Sequence, residues 1–341
     1  DKIEALKESL VELFSKSQIV LFLRSNYVKI TINTATSLVL EKTISKRNVA
    51  EIKQNNVVTS EWLIKNVRFD IIDDIRSKIS NDFRYPRKLR ESSKTEFSFA
   101  IQLEKGKLKP ADDDKRLIFT YLPTSINYGF PFLVNANFLT DAGRESIHKD
   151  LVWNHWLFTQ IPIKFFEWIS ELANKNSEFN RQFLTVLPQK LNGFNELENK
   201  FNDGLDEALE TIAFIPNING DLLKVSEALF DETNISEFIS KKTLLNYINT
   251  DTGNNFSITS FIPYLKPIKT LKQLGVKIFC VEKLDEFFAS NIFSDEHRVD
   301  ENFNLIAFLH KQASINQKND NENDLSNLLK NIPFIFDENE K

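Results

Sequence analysis

The spacing of hydrophobic residues changes near residue 144, and this change limits what the chain can fold into. Before it, residues 18–34 (QIVLFLRSNYVKITINT) and 57–71 (VVTSEWLIKNVRFDI) show the β-branched, alternating pattern of strands. After it, residues 144–175 carry bulky side chains three and four positions apart, which is the spacing of an amphipathic helix. The chain is therefore predicted to join a sheet to a helical region.

Three further segments predict strands: KTEFSFAIQLEKGKLKP, KRLIFTYLP and FPFLVNANFL, spanning residues 94–110, 115–123 and 130–139. Together with the first two they predict a mixed sheet of about five strands, with helices on one of its faces. The fold class is thus α+β. We expect the first domain, an α/β unit, to span residues 1–143.

The second domain, residues 144–341, is predicted to be rich in helix. Pro162 is expected to break or bend its first helix. Two short segments within this domain resemble each other, TIAFIPNING at 211–220 and NIPFIFDENE at 331–340. Their separation predicts a repeated unit of about 120 residues whose second copy is truncated.

Composition limits the class of protein. Hydrophobic residues make up 41% of the chain, the net charge is −5, and there is one cysteine. These values predict a soluble folded protein of the cytoplasm, without disulfides, a membrane span or a surface coated in basic residues. Helical spacing begins within the first residues, so we expect further sequence to precede Asp1.

Several catalytic motifs are absent or incomplete. The 8 glycines form neither a phosphate loop nor a dinucleotide fingerprint, so this chain is not expected to bind a nucleotide by either of those routes. The Asp251-Thr252-Gly253 tripeptide lacks the apolar flanks of an aspartic protease and is interpreted as a turn. His148 and His155 lack a third ligand, and no metal site is predicted.

A basic segment lies between the predicted strands of the first domain. Its cations, interleaved with aromatic residues, could contact a nucleotide or single-stranded nucleic acid. They could equally form a solvated linker that balances an acidic chain. The candidate residues are Arg84, Arg87, Lys88, Arg90 and Lys94.

Arg144 is the second candidate, at the predicted start of the first long helix. An arginine in a first helical turn is disfavoured by the helix dipole unless an anion neutralises it. That anion could be Asp141 or Glu145, in a structural ion pair, or a phosphate supplied from elsewhere.

Residues 116–158 resemble a segment of the sacsin-type repeat proteins. In those proteins a Leu-Pro strand leads to a Gly-x-Pro-x-x-Val-Asn strand, an arginine-bearing helix and a Trp-Asn pair. The resemblance covers roughly residues 1–170 well and the rest loosely. The matching residues are Leu122-Pro123, Gly129, Pro131, Val134-Asn135, Phe138, Arg144 and Trp153-Asn154.

Sacsin-type repeats belong with the GHKL ATPases, a group that includes gyrase and the large ATP-driven heat-shock chaperone. The resemblance implies that this chain is the transducer, or middle-domain-like, part of such an ATPase. It further implies that Arg144 contacts the γ-phosphate and that Glu145 supports it, although Gly143 stands where the chaperone has serine. ATP and Mg would be held by a preceding nucleotide-binding domain and not by this chain alone, because the Glu-x-x-x-Asn-x-x-Asp and Asp-x-Gly-x-Gly motifs of this group do not occur in it.

Three functions remain open at this stage. The transducer could couple ATP hydrolysis to the handling of a protein client. It could belong to a nucleic-acid-associated defence or repair ATPase that uses the basic segment as its groove. It could also be a scaffold without enzymatic activity.

Overall fold

The computed structural model describes residues 2–16, 18–33, 37–143 and 145–316, without the side chains of residues 12–16, 19, 299 and 312–316. The chain forms two compact units, residues 1–212 and 213–341. A curled mixed sheet is followed by a helical region, which confirms the predicted α+β class. Among the described residues, no helix is long and apolar enough to cross a membrane.

The first unit is built on one curled sheet with the strand order β1-β2-β3-β4-β5-β9-β7-β8, in which β6 also pairs with β5. Neighbouring strands are antiparallel except β7 and β9, which run parallel. The strands are β1 (Tyr27–Ile32), β2 (Leu38–Ile44), β3 (Val49–Gln54), β4 (Val57–Asp70), β5 (Lys94–Glu104), β6 (Lys107–Lys109), β7 (Ile118–Thr120), β8 (Leu122–Pro123) and β9 (Leu133–Asn135).

The helices of this unit include one long helix that covers a face of the sheet. Its contact is aromatic, because Phe165 lies against Phe132 and Phe99, with ring centroids 3.7 and 5.6 Å apart. This helix runs unbroken through Pro162. The helices are α1 (Lys2–Lys16), α2 (Asp73–Ser80), α3 (Arg87–Arg90), α4 (Val152–Ala173) and α5 (Glu196–Thr211), with 3-10 segments at Ile19–Phe22, Asp113–Lys115 and Phe183–Val186.

A short 3-10 segment, Ile19–Phe22, covers the other face of the sheet and is called the strap. The prediction that residues 18–34 form one strand is therefore wrong for its first part. The Phe22 ring packs on Phe119 at 4.8 Å between centroids. Lys42 is fully buried on β2, and its ammonium donates to the backbone carbonyl oxygens of Leu21 and Leu23. The carbonyls of Leu21 and Leu23 are therefore bound by a lysine side chain and not by the backbone of a neighbouring strand.

The division after Ile212 differs from the predicted boundary at residue 143, because α4 packs on the sheet and α5 packs on α4. The two helices approach closely at Gly204, where a Cβ would overlap the backbone carbonyl of Thr159. Only glycine permits this separation. The change to a helical sequence pattern near residue 144 is therefore not a domain boundary, because the first two long helices after it, α4 and α5, belong to the first unit.

The second unit contains short helices and two small sheets. In these sheets β10 and β11 form an antiparallel pair, and β12 and β13 a parallel pair. Its core includes the buried rings of Phe279, Phe287 and Phe293. Its elements are β10 (Ile215–Pro216), β11 (Leu222–Leu223), β12 (Leu229–Asp231), α6 (Lys241–Thr252), α7 (Ile268–Leu274), β13 (Lys277–Phe279), α8 (Leu284–Phe288), α9 (Asn291–Glu296) and α10 (Asn302–Asn316), with 3-10 segments at Val225–Glu227, Ile235–Glu237, Ile258–Ser260, Val281–Lys283 and Val299–Glu301.

The first segment of the predicted repeat forms the β10–β11 hairpin. Asn217 shapes its turn, since its Oδ1 accepts hydrogen bonds from the backbone N–H groups of Asn219 and Asp221. The second segment, residues 331–340, lies outside the described residues. The Asp251-Thr252-Gly253 tripeptide ends α6, and Gly253 caps the helix with a φ of 68°.

Candidate functional site

The residues around Arg144 form a closed turn, which we call the Asp141 turn and define as residues 140–147. Thr140 and Ile147 pair as an antiparallel bridge. Between them, the Asp141 carboxylate accepts hydrogen bonds from the backbone N–H of Glu145 at 2.9 Å and from the Ser146 hydroxyl at 2.6 Å. One carboxylate thus satisfies two donors and fixes the shape of the turn.

This turn replaces the helix start predicted at residue 144, because α4 begins only at Val152. The helix-dipole argument therefore does not apply, because residues 145–151 are not helical and the backbone N–H of Glu145 is bound by Asp141. Glu145 is exposed. Arg144 itself lies outside the described residues.

The Trp153-Asn154 pair at the start of α4 clamps the chain on both sides of the Asp141 turn. The Trp153 indole N–H donates to the carbonyl of Asn137 at 2.8 Å. The fully buried Asn154 side chain accepts from Leu139 N at 2.9 Å and donates to the carbonyls of Leu139 and His148, each at 2.8 Å. The two ends of the turn are consequently anchored to the long helix.

A cavity of about 320 Å³ lies at one edge of the sheet beside this turn, and we call it the edge cavity. Lys88 on α3 and Lys94 at the start of β5 line it together with Thr140 of the Asp141 turn. Thr95 also lines it and is 4% exposed. The Thr95 hydroxyl has no hydrogen-bond partner among the described residues. A buried hydroxyl without a partner is uncommon and indicates a position where a bound group could accept or donate.

The structure brings only two of the five predicted cations to this cavity. Three others have local partners. Arg84 forms an ion pair with Asp82 at 2.7 Å, and these hydrogen bonds hold the pKa of the Asp82 carboxyl below its usual range. Arg87 pairs with Glu91 at 2.7 Å, one turn further along the short α3.

The remaining arginine, Arg90, donates to the carbonyl of Tyr85 at 3.2 Å, and its guanidinium lies 4.9 Å from the centre of the Phe83 ring. Lys94 pairs with Asp70 at 3.3 Å on the neighbouring strand. Lys88 makes no ion pair with any described residue. It is therefore the candidate cation that is available to a ligand in the edge cavity.

Sequence reasoning did not identify Thr95 or Tyr121 as lining residues. Both lie in segments predicted to be strands. The alternating pattern of a strand does not show where the strand lies in the sheet, so it cannot show which of its residues line a cavity at the sheet edge. Tyr121 adopts a φ of 65°, a left-handed value that is rare for a bulky residue. It lines the edge cavity at the turn between β7 and β8.

Within the described ranges, no group of three or more His, Cys, Asp or Glu side chains is placed to hold a metal ion. His155 Nε2 lies 2.5 Å from the carbonyl of Lys149, where it serves to fix the chain ahead of α4. His148 is exposed, and its carbonyl is bound by Asn154.

Comparison with known proteins finds no matching family model, no matching curated protein and no matching solved structure.

Proposed function

We propose that this chain is the middle, or transducer, segment of a sacsin-like, heat-shock-chaperone-like GHKL ATPase. ATP and Mg would be held by a nucleotide-binding domain that precedes it. The observation that carries the proposal is the edge cavity, where Lys88, Lys94 and Thr140 of the Asp141 turn meet. The α+β fold, with its curled mixed sheet, supports the same assignment.

In this mechanism the edge cavity faces the polyphosphate of ATP when the two domains close. The Lys88 ammonium, which lacks a partner among the described residues, meets a phosphate oxygen, and the Thr95 hydroxyl completes the contact. Arg144, on the adjacent turn, contacts the γ-phosphate and stabilises the charge that develops during hydrolysis. Glu145 supports the turn through the hydrogen bond of its backbone to Asp141.

Coupling to a client follows from the clamp at the start of α4. A force on the Asp141 turn is transmitted to α4 through Trp153 and Asn154, which bind the chain on either side of the turn. Closure on ATP would thus move the long helix and the helical residues that follow it. A protein client is the partner expected for that motion.

A nucleic-acid-associated ATPase would use the basic segment as a groove. Arg84, Arg87 and Lys94 each have a carboxylate partner, and releasing those partners would oppose binding to phosphates. The basic segment therefore favours the nucleotide-facing role of Lys88 over a nucleic-acid groove. Binding of a single strand with a steep salt dependence would reverse this preference.

The proposal is tested by ATP turnover of the full-length protein with Lys88→Gln, compared with Arg87→Gln. Both variants remove one positive charge from α3, but Arg87 pairs with Glu91 and does not line the cavity. A hydrogen bond to a charged group contributes about 1.5–3 kcal/mol, so Lys88→Gln should lower turnover about 10-fold or more. Arg87→Gln should change it less than about 2-fold. Equal effects of the two variants would contradict the proposal.

A further inference from the structure

A second cavity lies beneath the strap, on the opposite face of the sheet from Thr95, and we call it the strap cavity. It has a volume of about 320 Å³, which is at the lower end of the range for small-molecule sites. Phe22 of the strap, Ile44 and Ile64 give it apolar surface. The strap cavity is separate from the groups invoked for phosphate contact.

Strand register places three neutral polar side chains in a row along its wall. Ser98 on β5 lies directly opposite Asn66 on β4 and directly opposite Asn135 on β9. Directly paired residues project from the same face of a sheet, and neighbouring strands are about 4.8 Å apart. The row therefore presents a carboxamide, a hydroxyl and a second carboxamide at regular spacing to the same cavity.

These groups have hydrogen-bonding capacity to spare. Asn135 is only 6% exposed, and its Oδ1 accepts from the backbone N–H of Tyr121 at 2.7 Å. A backbone N–H can only donate, so the oxygen must face Tyr121 and the Nδ2 group is the free donor. Among the described residues, nothing accepts from Asn135 Nδ2, and the side chains of Asn66 and Ser98 form no hydrogen bond.

The same hydrogen bond holds an aromatic ring at the rim. Tyr121 is 43% exposed and lines the strap cavity, with its backbone in the left-handed region at a φ of 65°. This conformation is costly for a bulky residue, and such strain concentrates at functional sites. The buried Asn135 is the group that supports it.

The charges at the cavity indicate the class of ligand. Arg24 and Glu96 also line it, and they pair with each other at 3.0 Å, so the site presents no uncompensated charge. A phosphate or an ammonium ion would have to break that pair. A neutral ring with donors and acceptors along its edge satisfies the polar row, while its faces contact the apolar surface and the Tyr121 ring.

We propose that the strap cavity binds a neutral planar heterocycle of the nucleobase class, with its edge read by Asn66, Ser98 and Asn135. Carboxamide side chains form paired hydrogen bonds with adenine, which makes adenosine a suitable probe. This site does not depend on the transducer role proposed above. Because Tyr121 lines both cavities, occupation of the strap cavity would also restrain one wall of the edge cavity.

The test is hydrogen exchange of the full-length protein with adenosine, read only at the backbone amides of residues 21–26, which lie at the strap cavity and not at the edge cavity. Binding elsewhere, including at an ATP site, leaves these amides unchanged. Adenosine should slow their exchange at concentrations up to about 10 mM, at which a site with a Kd near 1 mM is mostly occupied. Glucose, which is neutral but not planar, should give no protection.

Two variants and one control localise the effect. Asn66→Ala alters an exposed residue, and Ser98→Val suits a strand, so both should fold while weakening the adenosine-induced protection about 10-fold or more. Asn192→Ala changes an exposed asparagine outside the cavity and should leave the protection intact. The proposal is overturned if adenosine gives no protection, if glucose protects equally, or if both cavity variants retain full protection.

Discussion

Asn154 binds both backbone groups of Leu139, accepting from its N–H at 2.9 Å and donating to its carbonyl at 2.8 Å. The same carboxamide also donates to the carbonyl of His148. One buried side chain of α4 thus binds the residue before the Asp141 turn, Leu139, and the residue after it, His148. The Asn of the Trp-Asn pair therefore has a structural role in holding this part of the chain on α4.

Asn154→Ala is expected to destabilise the protein by roughly 2 kcal/mol or more. The substitution leaves Leu139 N and the His148 carbonyl without their partner, whereas Leu139 O still accepts from the His148 N–H at 3.0 Å, and each unsatisfied buried group costs about 1–3 kcal/mol. Urea unfolding measures the loss, and Asn192→Ala, at an exposed asparagine, serves as the control. A loss no larger than that of the control would show that the clamp contributes nothing.

Gly204→Ala is expected to destabilise the first unit by about 1–3 kcal/mol or more, the usual effect of overpacking. Its new Cβ would overlap the backbone carbonyl of Thr159, so α4 and α5 would have to separate. Thermal unfolding measures the effect. Ala208→Gly on the same helix gives a comparison in which no group is added, and its cost should come from propensity and the lost methyl contact alone.

Lys42 should make stability depend on pH in the alkaline range. Burial lowers the pKa of Lys42 from 10.5 to about 8. Between these values the unfolded chain binds more protons than the folded one, so the free energy of unfolding should rise as the pH increases from about 8 to about 10.5. A comparison of variants isolates the contribution of Lys42.

The comparison uses denaturant unfolding at both ends of that range for Lys42→Met and for Lys46→Met. Lys42→Met removes the titrating group and should flatten this part of the profile, whereas Lys46 is exposed in a turn and its loss should not. If the two variants give the same profile, burial of the Lys42 charge does not set the pH dependence. The test rests on the slope of the profile and not on absolute stability, because Lys42→Met also removes the hydrogen bonds to the Leu21 and Leu23 carbonyls.

The strands predicted from alternation include β4 and β5, because the hydrophobic face of each strand is continuous in the sequence. Strands β2 and β3 were missed. In LVLEKTI the charged residues Glu41 and Lys42 are adjacent, which breaks the alternation, and Lys42 is buried rather than exposed. VAEIKQ carries charges at Glu51 and Lys53. The strap was predicted as a strand because its four consecutive apolar residues are compatible with a buried strand as well as with a short helix.

The basic segment was predicted as a cluster of cations, but three of its five cations, Arg84, Arg87 and Lys94, pair with carboxylates. Arg87 and Glu91 are four residues apart, a spacing that by itself indicates an ion pair on a helix. Arg84 and Asp82 are similarly close in sequence. Lys88 and Thr140, by contrast, are far apart in the sequence and line one cavity only in the folded chain, so no local sequence pattern predicts that they meet.

The most direct measurement is ATP turnover by the full-length protein with Arg144→Ala, alongside nucleotide binding. The matched control is Arg181→Ala, at an exposed arginine outside the edge cavity. Loss of a positioned transition-state donor typically lowers the rate about 100-fold or more, and we predict a loss of that size for Arg144→Ala with nucleotide binding retained. Unchanged turnover in Arg144→Ala would contradict the transducer assignment and leave the Asp141 turn with a structural role alone.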